Sequence, residues 1–474
     1  MSTLDNSDLA YLSWLEAARR IRHKALSPVA YCEAQLARIE ALDGKLNATL
    51  HVCAERALSR AHAAERALMS DKTALGETLG PLHGVPFALK DIIDVAGLPT
   101  TAHSQVMAQH VAAADAEVTR RLQAAGGIVL AKLSTHEFAL GGPCFDLPWP
   151  PARNPWNTAC MPGGSSSGSG AAVAAGYVPL ALGTDTGGSV RNPASACGVV
   201  GIKPTYGLVS RRGVVPLSFS LDHVGPLTRT VEENAAALNI LAGYDAADPG
   251  CAALAPMDYT RALGSAIAGL KIGVIRHFFA RDRVASEAMG GAIDTALGVL
   301  ESLGAVVADV STRPLQAFAD CNRIILLCEA YAVHEKDLRE RPQDYAELTR
   351  QRLLPGAFLR AVDYVQALRK RVQLRDEMSA LLHDYDVLIT ASSMEPAFPI
   401  KDTQACAKLY PRQARTPFNL TGHPAISVPI GFSAEGLPLA MQIVGRAFDE
   451  PMVYRVAAAY ERETRWCDKH PPVD

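Results

Sequence analysis

The chain has 474 residues, with 46 Lys and Arg against 49 Asp and Glu, which gives a formal net charge of −3. Apolar residues make up 49% and charged residues 20%, as in an average soluble protein, and this argues against disorder or a nucleic-acid surface. The ten cysteines include no Cys-x-x-Cys pair, so we expect reduced thiols rather than a disulfide framework or a metal site.

The sequence pattern predicts neither a secretory signal nor a membrane span. Two acids precede any apolar run at the start of the chain, which is not how a secretory signal begins. The longest uncharged stretch of small apolar residues, 171–183, is 13 residues long, whereas a membrane span needs about 20. We therefore expect a cytoplasmic protein that binds neither membrane nor nucleic acid.

The predicted elements begin with three helical patterns, of which the second has Ser27 as N-cap and Pro28 in its first turn. Strand and helix patterns then alternate along most of the chain. The predicted strands are 85–89, 128–133, 270–275, 305–310, 387–390, 425–430 and 439–444, and the main helices between or after them are 117–125, 286–303 and 451–462. This alternation predicts an α/β fold, with helices covering both sides of a central mixed sheet.

No internal repeat or long polar linker divides the chain, so we expect one domain over 1–474. Within it, N-terminal helices occupy 1–70, the main core 80–310, and the strands and helix that complete it 386–474. The segment 311–385 is helical and rich in arginine. Two interpretations stay open for it: a solvated helical layer, or an insertion that shapes a substrate pocket.

Glycine is unevenly distributed, because eight of the 36 glycines lie in residues 163–188. A flexible Gly/Ser linker is a poor interpretation, since this run leads directly into a helix of small residues and then an apolar strand. The segment instead predicts a loop that needs unusual backbone angles and close backbone approach. Ser169 stands where a phosphate-binding loop needs Lys, and Val173 where a dinucleotide fingerprint needs Gly, so neither nucleotide motif fits.

Two interpretations of the serines remain. Gly164-Ser-Ser-Ser-Gly168 matches the nucleophile elbow Gly-x-Ser-x-Gly, with Ser166 at its centre and His223 or His423 as base, but no strand pattern precedes it. Alternatively, Thr184-Asp-Thr-Gly-Gly-Ser189 places a second serine after a glycine pair at the end of an apolar strand. With Lys90 at the end of another strand, the two serine loops provide the parts of a Lys–Ser–Ser hydrolase. In that hydrolase, the backbone amides of Thr186, Gly187 and Gly188 are candidate donors to an oxyanion.

At these residues the sequence resembles the amidase signature family, whose members cleave amide, urea or carbamate C–N bonds. The resemblance rests on Gly84-Val-Pro-Phe-Ala-Leu-Lys-Asp91, Gly163-Gly-Ser-Ser-Ser-Gly168 and Gly183-Thr-Asp-Thr-Gly-Gly-Ser-Val-Arg191, and flanking matches extend it from about 80 to 445. It implies Ser189 as nucleophile, Ser165 as a bridging serine that follows a cis peptide bond at Gly164, and Lys90 as base.

Lys90 can act as a base only if burial lowers its pKa from about 10.4 towards about 7–8. Asp185 and Arg191 flank the nucleophile. We expect them to form an ion pair that fixes the loop, with ordinary surface charges as the alternative. Gly164 and Ser166 are expected to support the serine loop. Lys132 and Lys203 are interpreted as solubilising the ends of elements.

The resemblance covers two kinds of protein, free-standing amidases and the glutaminase A subunit of an aminoacyl-tRNA amidotransferase. A glutamine pocket of the second kind would use an Arg and an Asp, but the region 401–419 offers Arg412 and Arg415 with no Asp after Asp402. We therefore expect a stand-alone hydrolase of a small amide, urea or carbamate. Phe145, Leu147 and Trp149 are either an apolar substrate pocket or core packing. The mechanism needs no cofactor or metal, and the resemblance allows a homodimer.

Overall fold

The computed structural model describes residues 9–70 and 79–473. Its strands are β1 (Thr49–Val52), β2 (Pro86–Lys90), β3 (Ile128–Leu133), β4 (Leu180–Asp185), β5 (Val200–Lys203), β6 (His223–Thr228), β7 (Lys271–Val274), β8 (Val306–Asp309), β9 (Val387–Ala391), β10 (Ala425–Phe432) and β11 (Pro438–Val444). In the described residues all eleven form one sheet, in the order β1-β3-β2-β4-β6-β5-β10-β11-β9-β7-β8.

The α-helices pack around this sheet. They are α1 (Trp14–Arg22), α2 (Pro28–Leu46), α3 (Ala54–Met69), α4 (Glu117–Ala124), α5 (Ser167–Ala174), α6 (Arg191–Cys197), α7 (Val231–Leu241), α8 (Glu287–Ser302), α9 (Leu315–Glu340), α10 (Glu347–Leu353), α11 (Ala361–Asp384), α12 (Thr403–Leu409), α13 (Thr416–Thr421) and α14 (Glu450–Thr464). None of the helices within 9–70 and 79–473 is both long and apolar enough to cross a bilayer.

The sheet separates two hydrophobic cores. Successive residues of a strand point to opposite faces, and along β2 Phe87 and Leu89 enter one core whereas Ala88 enters the other. Leu180 and Leu182 of β4 join the core of Phe87, and Ala181 joins that of Ala88. Burial on both faces explains why these strands read as continuous apolar runs rather than as alternating patterns.

The sheet is mixed, as predicted. Strands β3, β2 and β4 run parallel, whereas β4, β6, β5, β10, β11 and β9 are antiparallel in succession. All seven predicted strands form, as do the three main helices, with ends shifted by at most a few residues. The predicted single α/β domain is confirmed.

Parallel pairing of β2 with β4 positions the candidate site. Lys90 ends β2 and Asp185 ends β4. Because the carboxyl ends of parallel neighbours lie at the same edge of a sheet, the loops that follow these strands meet there.

Candidate active site

Lys90 lies at this edge, as the last residue of β2. Its ammonium nitrogen is fully buried and lies 2.7 Å from Ser165 Oγ and 2.8 Å from Thr184 Oγ1. Among the described residues no carboxylate is within ion-pair distance of it. Burial lowers the pKa of Lys90 to about 7, although the charges of Asp222 and Asp185 act in the opposite direction. A substantial fraction of this lysine is therefore neutral near pH 7, as a base requires.

The loop that carries Ser165 packs closely against neighbouring residues. Its two glycines, Gly163 and Gly164, therefore have no room for a side chain. The Gly164–Ser165 peptide bond is cis, as the family resemblance implies, and the Gly164 amide donates to Asn192 Oδ1 at 2.8 Å. A Cβ on Gly164 would lie 2.1 Å from His136 Cε1, and one on Gly163 would lie 2.7 Å from Asn192 Oδ1. The glycine pair is thus required by close packing, as the local glycine excess predicted.

Ser189 lies in the loop between β4 and α6 and is half-buried. Its carbonyl oxygen accepts a hydrogen bond from the Ser166 amide at 3.2 Å, which ties the two serine loops together. Its hydroxyl group forms no hydrogen bond with any described residue. Ser189 therefore combines a fixed backbone with a free hydroxyl group that a substrate can reach.

Asp185 and Arg191 form the predicted ion pair, with 3.0 Å between Arg191 Nη2 and Asp185 Oδ1, and both side chains are fully buried. Burial alone would raise the pKa of Asp185, but the charge of Arg191 and hydrogen bonds from Arg191 and Asn419 hold it below its ordinary value. Asn419 Nδ2 donates to Asp185 Oδ1 at 2.7 Å, and Gln442 Oε1 accepts from Arg191 at 2.9 Å. The alternative of ordinary surface charges is wrong.

The predicted oxyanion donors need one correction. The Gly188 amide donates to Asp185 Oδ1 at 2.7 Å and so is already engaged. The amides of Thr186 and Gly187 have no acceptor among the described residues. These two remain candidate donors to a developing oxyanion, and Gly188 instead links the loop to the buried ion pair.

Ser166 has a supporting contact rather than an exposed hydroxyl group. Its side chain is fully buried and lies 3.2 Å from both the amide nitrogen and the carbonyl oxygen of Thr184. His223 Nδ1 lies 2.7 Å from the carbonyl oxygen of Leu221, and His423 Nδ1 2.9 Å from Thr421 Oγ1. These contacts do not build a nucleophile elbow around Ser166.

Lys132 and Lys203 do not solubilise the ends of elements, because both side chains are fully buried. Lys132 Nζ lies 2.8 Å from Asp91 Oδ1 and donates to Thr100 Oγ1 at 2.9 Å. Lys203 Nζ donates to the carbonyl oxygen of Pro204 at 2.9 Å. The sheet is covered on both faces at these strand ends, which the local sequence does not reveal.

Three cavities approach the site. One of about 610 Å³ reaches it at Thr184 and Thr186. A second cavity is a narrow cleft of about 30 Å³. The residues that line it include Gly163, Asn192, Ser393, Glu395, Tyr410, Arg412 and Arg415. Tyr410 and Met161 also line a neighbouring cavity of about 310 Å³.

The structure separates the three residues that we expect to form either an apolar pocket or core packing. Phe145 lines the 310 Å³ cavity, together with Leu348 and Arg352 of α10. Leu147 and Trp149 are not part of that lining. Trp149 packs edge-on against His103, with ring centroids 5.9 Å apart. Part of the 311–385 segment thus lines this cavity.

Sequence reasoning missed several contacts. Thr184 lies inside a quoted motif, but nothing in the sequence marks its hydroxyl group as a partner of Lys90. Asn192, Asn419 and His136 are far apart in sequence, and only the fold brings them together. Within 9–70 and 79–473, no group of three or more His, Cys, Asp or Glu side chains is arranged to hold a metal.

The chain is similar over nearly its whole length to known proteins of one family. The family model Amidase matches residues 30–454. The A subunit of glutamyl-tRNA(Gln) amidotransferase from Chloroflexus aggregans is 37% identical over 98% of this chain and 99% of its own length. A solved structure from work on a vestigial protein complex and the origins of an s-triazine catabolic enzyme is 35% identical, with a TM-score of 0.88 over 96% of this chain and 99% of that one.

The native peptide amidase of Stenotrophomonas maltophilia is 31% identical, with a TM-score of 0.85 over 97% of this chain and 98% of that one. The family match thus spans both serine loops, the lysine strand and the strands that complete the sheet. The chain belongs to the amidase signature family.

Proposed function

We propose that this chain hydrolyses the C–N bond of an amide through an acyl-enzyme formed on Ser189, with Lys90 and Ser165 as the proton relay. The observation that carries the proposal is the environment of Lys90: a buried amine without a carboxylate partner, 2.7 Å from Ser165 Oγ. A lysine with a pKa of about 7 supplies the base that a serine hydroxyl group needs.

Protons balance in each step of the proposed cycle. Ser165 passes its proton to neutral Lys90 and takes one from Ser189, whose Oγ attacks the amide carbonyl carbon. The amides of Thr186 and Gly187 donate to the resulting oxyanion. The proton then returns through Ser165 to the leaving nitrogen as the C–N bond breaks. Water repeats the sequence on the acyl-enzyme, releasing the acid and restoring Ser189.

A second candidate is the glutaminase component of an aminoacyl-tRNA amidotransferase. The curated relatives favour it over the stand-alone hydrolase of a small amide that we expected from sequence, because they carry this name at 37–40% identity over 90–98% of the chain. Against it stands the cleft itself: its only carboxylate among the described lining residues, Glu395, is paired with Arg412 at 2.9 Å. The 30 Å³ cleft therefore offers no unpaired carboxylate to the ammonium group of glutamine among its described residues, whereas Glu329 in the 610 Å³ cavity has no ion-pair partner there.

The chemistry is tested by labelling the purified chain with a fluorophosphonate and locating the label by mass spectrometry. We expect Ser189 to be labelled, and Ser189→Ala to abolish both labelling and turnover. Ser302→Ala is the matched control, because Ser302 is exposed at the end of α8. Label on Ser166, or normal turnover by Ser189→Ala, would refute the proposed nucleophile.

The two candidates are separated by release of ammonia or amine from glutamine, aliphatic amides, anilides, ureas and carbamates. Turnover of a small amide by the chain alone supports the stand-alone hydrolase. Glutaminase activity that arises only when partner subunits are added would establish the amidotransferase component instead. The mass of the purified chain in solution tests the predicted homodimer.

A further inference from the structure

Asp222 holds the loop after β4 from the start of the neighbouring strand β6. The two strands are antiparallel, with Asp185 opposite His223, so the residue after β4 and the residue before β6 lie side by side. These residues are Thr186 and Asp222, and Asp222 Oδ1 accepts a hydrogen bond from Thr186 Oγ1 at 2.6 Å. Asp222 therefore contacts the side chain of a residue whose backbone amide is a candidate oxyanion donor.

The Asp222 carboxylate is itself fixed from its other side. Its Oδ2 accepts from the backbone amides of Leu217 and Ser218, both at 2.9 Å. The Ser218 hydroxyl group donates to Glu329 of α9, and the carboxylate of Glu329 also accepts from Tyr364 of α11 at 2.7 Å. Because donors engage both oxygens of Asp222, the carboxylate is held in one orientation, and the network that holds it reaches two long helices.

Asp222 has no cation within ion-pair distance among the described residues. Burial raises its pKa, and the hydrogen bonds from Thr186, Ser218 and Leu217 act in the opposite direction. Its negative charge opposes the burial that lowers the pKa of Lys90, so Asp222 does not help that lysine to act as a base. The contact with Thr186 is therefore the one through which Asp222 can assist the reaction.

We infer that Asp222 is a positioning residue for the oxyanion site: its bond to the Thr186 hydroxyl group fixes the loop so that the amides of Thr186 and Gly187 meet the developing oxyanion. The inference rests on the proposed function and adds a residue to its machinery. Preorganised donors stabilise an oxyanion because they need no reorientation during the reaction. Since that charge is absent from the bound substrate, loss of the bond should lower kcat and leave KM nearly unchanged.

The test combines Asp222→Asn and Thr186→Val in a double-mutant cycle. Asn can keep its oxygen toward the two backbone amides, which turns its NH2 group toward Thr186 and removes the acceptor. Thr186→Val removes the hydroxyl group from the other side, whereas Thr186→Ser retains it. Asp245→Asn is the matched control, because Asp245 likewise accepts from a hydroxyl group, that of Ser210 at 2.7 Å, and from the amide of Ala247 at 3.0 Å.

The first readout is the rate at which a fluorophosphonate labels Ser189, because the phosphonyl oxygen gains negative charge as the bond to Ser189 forms. The second is kcat and KM for the amide that the chain hydrolyses fastest. We expect Asp222→Asn and Thr186→Val each to lower the labelling rate and kcat by about 100-fold and to change KM by less than threefold.

The double variant should be no more than threefold slower than the slower single variant, because both changes remove the same bond. Thr186→Ser should be at least tenfold faster than Thr186→Val, and Asp245→Asn should stay within threefold of the wild type. Asp222→Asn should also move the acid limb of the labelling rate to lower pH, since its charge no longer raises the pKa of Lys90. Asp185, the other carboxylate that raises this pKa, stays in place.

Losses that multiply in the double variant, a loss through KM rather than kcat, or an equal loss in Asp245→Asn would overturn the inference. Wild-type rates in Thr186→Val, or an acid limb that moves to higher pH in Asp222→Asn, would do the same. If Asp222→Asn folds poorly, the comparison of Thr186→Val with Thr186→Ser decides. Failure of the proposed function is recognised separately, since Ser189 of the wild type would then not be labelled at all.

Discussion

Lys90 and Lys132 lie on neighbouring parallel strands, with Leu89 opposite Lys132 and Lys90 opposite Leu133. Both side chains are fully buried. They differ in their partners: Lys132 Nζ lies 2.8 Å from Asp91 Oδ1, whereas Lys90 Nζ contacts the hydroxyl groups of Ser165 and Thr184. A carboxylate stabilises an ammonium and hydroxyl groups do so far less, so the partner rather than burial decides which lysine can serve as a base.

Lys203 extends this comparison. It is also fully buried, and burial, together with the charge of Arg191, lowers its pKa well below the ordinary value. Its Nζ donates to a backbone carbonyl oxygen and contacts no serine. A neutral lysine is thus insufficient for the proposed chemistry, because the proton must also have a path to the nucleophile, and the proposed path begins at Ser165, which contacts Lys90 and not Lys203.

The largest expected effect is on turnover. Lys90→Met removes the proposed base while keeping a side chain of similar length, and we expect kcat/KM for an amide to fall about 10³- to 10⁴-fold. Such a loss corresponds to about 4–5.5 kcal/mol of transition-state stabilisation. Steady-state kinetics measure it.

The unfolding free energy of Lys90→Met should stay at or above that of the wild type, because the variant no longer buries an amine without a counter-ion. Lys203→Met is the matched control for this variant. It removes an equally buried lysine that contacts no serine, so its turnover should stay within a few-fold of wild type. Turnover near the wild-type level in Lys90→Met would contradict the role of Lys90 as base.

The next largest effect is on stability. Lys132→Met leaves the Asp91 carboxylate buried without its cation, and we expect a loss of about 3–5 kcal/mol in unfolding free energy, measured by urea denaturation. Lys203→Met should cost less, since no carboxylate is within ion-pair distance of Lys203 among the described residues. Equal losses in the two variants would show that burial, not the partner, determines the energetics.

How far the sequence predicts these lysines depends on what each pattern encodes. The apolar run before Lys90 predicts its strand and its desolvation, and family resemblance predicts one of its two partners, Ser165, but not Thr184. The run before Lys132 is equally apolar, yet we interpreted that lysine as a solvated strand end. Its partner, Asp91, is distant in sequence and is brought near only by parallel pairing of β2 and β3.

The candidate site likewise combines features that the local sequence predicts with features that only the fold creates. Glycine spacing and the Thr184–Ser189 motif predict the loops, because those constraints are local. Asn419 and Gln442 complete the buried ion pair from other elements, and no local pattern marks them. Arg415 is visible in the sequence only as one of two arginines in 401–419, whereas its burial and unpartnered Nε arise from tertiary packing alone.

The third expected effect is on the pH dependence of kcat/KM. If neutral Lys90 is the base, the active fraction is lost as the pH falls through its pKa of about 7. We therefore expect kcat/KM to fall tenfold for each unit of pH well below 7 and to level off above it. Lys203→Met should keep this limb in place, since Lys203 does not contact the relay. A flat profile between pH 5 and pH 8 would exclude a titrating base.

The smallest effect should come from the threonine hydroxyl group that contacts each lysine, Thr184 for Lys90 and Thr100 for Lys132. Thr184→Val removes an acceptor at 2.8 Å that stabilises the protonated form of Lys90 more than the neutral form. Its loss should lower the pKa of Lys90, so the acid limb of the kcat/KM profile should move to lower pH by less than one unit. The corresponding free energy is about 1 kcal/mol.

Thr100→Val is the matched control for that variant, because Thr100 Oγ1 accepts from Lys132 at 2.9 Å. It makes the same chemical change beside the lysine that has a carboxylate partner, and it should leave the acid limb where it is. A shift in the opposite direction for Thr184→Val, or an equal shift for both variants, would mean that Lys90 is not the group that titrates. Each of the two variants replaces one hydroxyl group by a methyl group. Together they test whether the two neighbouring lysines differ in function because they differ in partners.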